Sequence, residues 1–114
     1  MRILLAEDDE LVAETLADTL ATLGHTVAAV TTTYREAIAA AAALPFDAAI
    51  LDRFLVGKGD VGEVANVLRK REIPCIVTSG YPTEDLPDAL RGQPFLRKPF
   101  SLKQLKDTLE HLTR

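Results

Sequence analysis

The sequence predicts an α/β protein in which a five-stranded parallel sheet is covered by helices on both faces. Strand-like apolar runs and segments with helical periodicity alternate about five times along the chain. The strand-like runs are apolar at successive positions, which indicates burial on both faces and therefore parallel pairing. A chain of 114 residues has room for one domain with a substantial core. We therefore expect residues 1–114 to form a single domain.

The first strand and helix follow each other directly at the N-terminal end. The segment 2–6 is a short apolar run bounded by acids, which predicts a strand. The helix after it is predicted by apolar residues at helical spacing, namely Val12, Leu16, Leu20 and Leu23. Gly24 stands where this helix is expected to end. The run TVAAVT at 26–31 then predicts the second strand.

A capping box predicts the start of the second helix. Thr33 and Glu36 have the required spacing, and an alanine-rich segment continues from them to Pro45, which ends the helix. The third strand is predicted at 46–51 and leads directly to Asp52.

The second half of the chain continues the alternation. A loop with two glycines follows Asp52, and Asp60 is expected to cap a third helix with Val64 and Leu68 on its buried face. The fourth strand is predicted at 74–77. Closely spaced prolines then allow only a short or irregular helix near Pro87. A brief fifth strand at 95–96 precedes the last helix, for which a capping box of Ser101 and Gln104 predicts the start.

Composition excludes several classes of protein. The net charge is -4, hydrophobic residues make up 47% of the chain, and no run of Lys or Arg is present. These values indicate a globular protein without the basic surface that nucleic acids or anionic membranes attract. The apolar runs are too short to span a membrane, and the N-terminus has no signal-sequence pattern. We expect a cytoplasmic protein with no nucleic-acid or membrane partner.

Polar side chains follow four of the five predicted strands. They are Glu7, Asp8 and Asp9 after the first strand, Asp52 after the third, Thr78 and Ser79 after the fourth, and Lys98 after the fifth. In open parallel sheets, ligands bind outside the carboxyl ends of the strands, near the point where the strand order reverses. A strand order of 2-1-3-4-5 makes these four strand ends neighbours, and we predict that order.

The side chains at this edge suit one chemistry. Carboxylates from two strands can hold a hard divalent cation such as Mg2+, which also offsets the repulsion between adjacent acids. A phosphoryl group bound there meets the cation, the Lys98 ammonium and the Thr78 hydroxyl. One carboxylate then acts as the nucleophile. We assign that role to Asp52 because it stands alone at its strand end, whereas Glu7 and Asp8 are adjacent.

These residues resemble the receiver domain of two-component response regulators, which has the flavodoxin-like (CheY-like) fold. The resemblance covers essentially the whole chain, and its motifs are the acids in LLAED, the acceptor in AILD, the hydroxyl in IVTSGY and the lysine in FLRKPF. Each motif alone is weak, but together, in order and at strand ends, they are specific. The resemblance implies a stand-alone phosphoacceptor of a phosphorelay, without an output domain. Its phosphoryl donor is implied to be a histidine kinase or a histidine phosphotransfer protein.

The resemblance also implies roles for individual residues. Asp52 is the phosphoacceptor, Thr78 and Lys98 stabilise the phosphoryl group, and Thr78 with Phe95 forms the conformational switch. The ligands implied for Mg2+, or for Mn2+ in its place, are Asp8, Asp52, the backbone carbonyl of Phe54 and, mainly through water, Glu7. Such a protein catalyses only its own phosphorylation and dephosphorylation, so we expect it not to be an enzyme for an external substrate.

Two features of the sequence depart from the receiver pattern, and a third is expected to follow it. The usual Pro-Gly pair after the acceptor is replaced here by the segment 56–59, VGKG. Phe95 stands where Tyr is common and has no hydroxyl to donate. The peptide bond between Lys98 and Pro99 is expected to be cis, as in the family.

Two other functions stay open from the sequence. A Mg2+-dependent phosphohydrolase similar to the haloacid dehalogenases also forms an aspartyl phosphate. Such enzymes carry the nucleophile after the first strand, usually in an Asp-x-Asp pattern, which this chain lacks. The other alternative is a phosphorylation-independent interaction module in which the acids are no longer used, and the altered segment 56–59 keeps it open.

Overall fold

The computed structural model describes residues 1–55, 57, 59–80, 86 and 88–112. Its strands are β1 (Arg2–Ala6), β2 (Thr26–Thr31), β3 (Ala48–Asp52), β4 (Phe54–Leu55), β5 (Gly59–Asp60), β6 (Cys75–Ser79) and β7 (Phe95–Arg97). Its helices are α1 (Glu10–Thr22), α2 (Tyr34–Ala43), α3 (Gly62–Lys70) and α4 (Leu102–Leu112), with a 3₁₀ turn at Asp88–Leu90.

The main sheet has the strand order β2-β1-β3-β6-β7, and all of its strand pairs are parallel. These five strands are the five predicted from the sequence, so the predicted order 2-1-3-4-5 and the flavodoxin-like fold class are confirmed. The strands β1, β3 and β6 occupy the middle of the sheet, and their carboxyl ends carry the acids and hydroxyls discussed below.

Alternation along the strands divides the core into two layers. Ile3, Ile50 and Ile76 face α1 and α4, whereas Leu4, Leu51 and Val77 face α2 and α3. Successive side chains of a strand point to opposite faces of a sheet. Continuous apolar runs are therefore needed wherever helices cover both faces, and that is the pattern by which the sequence predicts these strands.

The predicted helix starts are confirmed at both capping boxes. The Thr33 hydroxyl accepts from the Glu36 amide, and the Glu36 carboxylate accepts from the Thr33 amide, each at 3.2 Å. Ser101 and Gln104 make the same reciprocal pair at the start of α4. Asp9 caps α1 through its side chain, which accepts from the amides of Leu11 and Val12. These bonds satisfy helix donors that have no partner within the helix.

The segment between β3 and α3 differs from the prediction. It contains a short antiparallel pair, β4 with β5, where the sequence predicted only a loop. The strand β5 ends at Asp60, and Val61 is the N-cap residue of α3. The Asp60 side chain lies outside the described part of the structure, so its role as a cap stays a prediction. The Val61 amide donates to the Arg53 carbonyl at 2.9 Å.

The region before β7 agrees with the prediction of a short, irregular helix. It contains the 3₁₀ turn at Asp88–Leu90, while Pro87 itself lies outside the described residues. Two positions expected on buried helix faces are exposed: 40% of Val12 and 55% of Leu102 are accessible. No helix in the described ranges is long and apolar enough to cross a membrane.

Candidate functional site

Three carboxylates meet at the carboxyl edge of the main sheet. Glu7 and Asp8 follow β1, and Asp52 is the last residue of the neighbouring strand β3. One oxygen of each lies within 4.8 Å of the others. Glu7 is 3% exposed and Asp52 is 9% exposed, whereas Asp8 lies at the surface. The sheet topology therefore assembles the acid cluster that the sequence predicts.

The Lys98 side chain supplies a positive charge next to these carboxylates. Lys98 follows β7, and its amide donates to the Ser79 carbonyl at 2.8 Å, which fixes the backbone beside β6. Its Nζ lies 2.8 Å from Glu7 Oε2 and 3.3 Å from Asp52 Oδ2. The ammonium thus bridges two carboxylates that come from different strands. The peptide bond from Lys98 to Pro99 is cis, as expected.

Burial and charge together shift the pKa values of this cluster. Burial and the charge of Glu7 raise the pKa of Asp52, Lys98 lowers it, and the net result of these effects is a pKa of about 7. Burial by itself lowers the pKa of Lys98, but its hydrogen bond to Glu7 and the charge of Asp52 outweigh burial and raise that pKa. Without a further cation, the site therefore holds more negative charge than its one ammonium neutralises.

The donor set fits a hard divalent cation. Mg2+ prefers oxygen ligands and keeps several waters, so a cluster of three carboxylates with one member at the surface is suitable. Such an ion would supply positive charge for phosphoryl chemistry and would reduce the repulsion among the acids. Glu7, Asp8 and Asp52 are the side chains that would hold it. The proposed ligation by the Phe54 carbonyl stays a prediction.

A cavity of about 250 Å³ opens directly over the cluster. Its lining residues are Asp8, Asp52, Phe54, Ser79, Gly80 and Lys98. Phe54 is 39% exposed at its rim, and the Arg53 guanidinium lies 4.8 Å from the centre of the Phe54 ring. A cavity with acids and an ammonium in its wall can receive a small anion together with a cation.

The two hydroxyls at the end of β6 border different spaces. Ser79 lines this cavity, whereas Thr78 lines an adjoining groove between α1 and α4. Both residues are buried, with Thr78 2% and Ser79 1% exposed. Thr78 is the register neighbour of Asp52, and alternation directs both of these side chains to the face of the sheet under α1 and α4. Sequence reasoning named both hydroxyls and chose Thr78, and that choice stays a prediction.

Phe95, the predicted switch aromatic, lies on β7 beside Val77. It is half-buried and packs against the core layer under α2 and α3. Its participation in a switch stays a prediction.

The chain is similar to several receiver domains among the solved structures. No protein-family model and no curated protein matches the chain. Among solved structures, the signal receiver domain of a modulated diguanylate cyclase from Desulfovibrio desulfuricans G20 is 32% identical, with a TM-score of 0.83. The match covers 96% of this chain and 90% of that one.

Two further structures extend this similarity. SdrG from Sphingomonas melonis Fr1 is 32% identical with a TM-score of 0.85, and the match covers 100% of this chain and 97% of SdrG. A response regulator receiver protein from Sinorhizobium medicae WSM419 is 25% identical with a TM-score of 0.83, over 98% of this chain and 93% of that one. This chain is thus similar to solved receiver structures over its full length.

Proposed function

This chain belongs to the receiver-domain family of response regulators, and from that premise we propose that it accepts a phosphoryl group on Asp52 in a two-component phosphorelay. The proposed donor is a phosphohistidine on a histidine kinase or a histidine phosphotransfer protein. The protein then acts by changing its binding surface, as a cytoplasmic signalling component rather than as an enzyme for an external substrate.

One observation carries this proposal: the acceptor, its counter-charge and a receiving cavity lie together. Asp52 and Lys98 both line the cavity, and their side chains are 3.3 Å apart. Nucleophile, cation and space for the phosphoryl group are the components that in-line transfer requires. They come from strands remote in sequence, so the convergence is a property of the fold.

The transfer is simple in chemical terms. An Asp52 carboxylate oxygen forms the new bond to phosphorus while the bond from phosphorus to the donor imidazole nitrogen breaks. The imidazole then takes a proton from water. Lys98 stabilises the charge on the phosphoryl oxygens, and Mg2+ held by the carboxylates would supply further positive charge.

Thr78 is the hydroxyl that we propose contacts the phosphoryl group. It is the register neighbour of Asp52 and has the same orientation in the sheet, whereas Ser79 has the opposite orientation but lines the cavity. A pair of matched variants separates the two residues. Thr78→Ala should slow phosphorylation by a small donor or shorten the lifetime of the product by tenfold or more, while Ser79→Ala should change either rate less than threefold. The reverse order of effects would assign the contact to Ser79.

The function itself is tested with phosphoramidate and Mg2+, followed by intact mass. We expect one labile phosphoryl adduct, lost in Asp52→Asn and strongly slowed when the metal is chelated. Asp47→Asn is a suitable control, because Asp47 is also an aspartate next to β3 but lies at its opposite end. Its adduct should match that of the wild type.

The same experiment separates the alternatives. Repeated turnover of general phosphate esters would support a phosphohydrolase. An absence of adduct with every donor would support an interaction module that does not use phosphorylation, and it would overturn the proposal.

An apolar groove beside the acceptor supports a protein donor. The groove lies between α1 and α4, has a volume of about 540 Å³, and shares Glu7 and Lys98 with the acid cluster. Leu11, 72% exposed, and Leu102, 55% exposed, line it. We propose that the donor packs here while its histidine reaches the cavity. Leu102→Asp should then slow transfer from a phosphorylated protein donor and leave phosphorylation by phosphoramidate unchanged.

A further inference from the structure

Lys98 is held more closely by Glu7 than by the acceptor. Its Nζ is 2.8 Å from Glu7 Oε2 and 3.3 Å from Asp52 Oδ2. The contact is sheltered, since the Glu7 side chain is 3% exposed and the Lys98 side chain is 29% exposed. Close charged pairs interact more strongly when they are partly removed from water. The resting position of the ammonium is therefore determined mainly by Glu7.

Glu7 has both of its carboxylate oxygens committed. Oε1 accepts from the Asp9 amide at 3.2 Å, and Oε2 accepts from Lys98. The Asp9 bond ties the side chain to the start of α1, where Asp9 is the cap. Glu7 is therefore a fixed anchor rather than a mobile acid.

The ammonium also uses oxygens that a metal ion needs. Of the three carboxylates that could hold a cation, two bind Lys98, and the third, Asp8, is exposed. An ammonium and a divalent ion cannot share the same oxygens at full strength, because like charges at such distances repel. Binding at this cluster therefore requires Lys98 to loosen its hold on Glu7 and Asp52.

We propose that Glu7 is a positioning residue that holds the Lys98 ammonium between the carboxylates at rest, so that Lys98 competes with Mg2+ for this cluster. The proposal rests on the proposed function and gives metal binding a second effect. Binding of the metal ion releases Lys98 toward the cavity that Lys98 already lines. Lysine release then accompanies metal binding, before any phosphoryl group is transferred.

The first test measures Mg2+ affinity by isothermal titration calorimetry, with no phosphodonor present. Lys98→Met keeps the length of the side chain and removes its charge. We expect this variant to bind Mg2+ at least about tenfold more tightly than the wild type, because the competing ammonium is gone. The magnesium-induced rise in melting temperature should increase correspondingly.

A matched control separates competition from a general effect of charge. Arg97 precedes Lys98, is exposed, and lies outside the cavity lining. Arg97→Met removes the same charge, and its Mg2+ affinity should stay within about twofold of the wild type. An affinity of Lys98→Met no higher than that of the wild type would overturn the proposal. So would an equal gain in Arg97→Met.

A second measurement does not depend on the folding of Lys98→Met. The Lys98 ammonium should give a protected ¹⁵N-attached proton signal in metal-free protein, and this signal should disappear on addition of Mg2+. It should persist in Asp8→Asn and be lost in Glu7→Gln. Persistence in Glu7→Gln would show that Glu7 does not position Lys98.

These readouts keep the inference distinct from the proposed function. A labile adduct on Asp52 without tighter Mg2+ binding by Lys98→Met would remove the inference and leave the phosphoacceptor intact. An absence of both the adduct and any Mg2+ binding, in wild type and variant alike, would overturn both.

Discussion

Asp52 lies in surroundings that disfavour its own charge. It is 9% exposed and close to Glu7, and these two causes raise its pKa to about 7 although Lys98 opposes them. A phosphoacceptor must nevertheless be ionised to attack phosphorus. Burial and the neighbouring charge disfavour the ionised form of Asp52 when no cation is bound. A cation bound at the cluster would favour the ionised form, because it offsets the negative charge.

This environment predicts a pH-dependent effect of Asp52→Asn on stability. The folded-state pKa of Asp52 is above its ordinary value of 3.8, so the carboxyl group contributes most to stability below about pH 4. That contribution is lost as the pH rises through about 7. In metal-free buffer, Asp52→Asn should therefore match the wild type near pH 4 and exceed it by about 1–3 kcal/mol at pH 8.

Urea unfolding in the presence of a chelator, repeated from pH 4 to pH 8, measures this difference. Asp18→Asn is the control, because Asp18 is exposed on α1, and it should show no such trend. A gain that is independent of pH, or a loss at pH 8, would contradict the electrostatic account.

The ends of helices α1 and α3 use the same backbone conformation with different residues. Gly24 follows the C-cap of α1 with φ of 91°, and Glu72 follows the C-cap of α3 with φ of 60°. This left-handed conformation strains residues that have a Cβ atom and suits glycine. Substitutions at these two positions should therefore have opposite effects on stability.

Gly24→Ala should destabilise the protein by about 1 kcal/mol, and Glu72→Gly should stabilise it by about 0.5 kcal/mol. A Cβ at Gly24 meets nothing within 4 Å, so its cost comes from the backbone and not from a clash. Chemical denaturation measures both values. Equal signs for the two substitutions would show that contacts, rather than backbone conformation, dominate at these ends.

Arg71 joins α3 to the end of α2. Its guanidinium donates to the carbonyls of Ala41 and Leu44 and lies 5.2 Å from the centre of the Phe46 ring. The carbonyls at a helix end have no partner within the helix, and a planar group with several donors satisfies two of them at once. Arg71 is thus a cap supplied by a neighbouring element.

Replacing this cap should cost stability in a graded way. Arg71→Ala should destabilise by about 1–2 kcal/mol, and Arg71→Lys by a smaller amount, because an ammonium lacks the planar fork. The neighbouring exposed Lys70 provides the control, and Lys70→Ala should stay within about 0.5 kcal/mol of the wild type. Equilibrium unfolding gives all three values, and equal effects of Arg71→Lys and Lys70→Ala would argue against the bidentate cap.

Across the whole molecule, stability should decrease from the middle of the sheet to its edges. The strand β3 is paired on both sides, by β1 and β6, and all five of its residues are buried. The strand β2 is at an edge and is only partly buried. Buried and doubly paired amides exchange only through large openings of the structure.

Hydrogen exchange followed by mass spectrometry should therefore show the slowest exchange in peptides that contain β3. Faster exchange is expected in β2 and in the short pair β4 with β5. Slower exchange in β2 than in β3 would mean that the edge is covered in solution, for example by a partner or a second copy.

Much of this fold could be predicted because local chemistry determines it. The capping residues Thr33 and Ser101 start helices through bonds to amides three residues away. Strands that are apolar on both faces require helices on both sides of the sheet, and this requirement follows from the sequence pattern alone. The site could be predicted only in part, because the sequence places Glu7, Asp52 and Lys98 at strand ends without giving the distances between them.

By itself, then, the sequence determined the order of strands and helices, most helix starts, and the edge at which the acids collect, since each depends on residues close in the chain or on the alternation of elements. The tertiary structure decided what depends on side-chain direction and on distant neighbours. It paired β4 with β5 where a loop was expected, placed the Arg71 guanidinium on two carbonyls at the end of α2, and joined Lys98 to Glu7. Such contacts are determined by packing between elements, which a linear pattern does not specify.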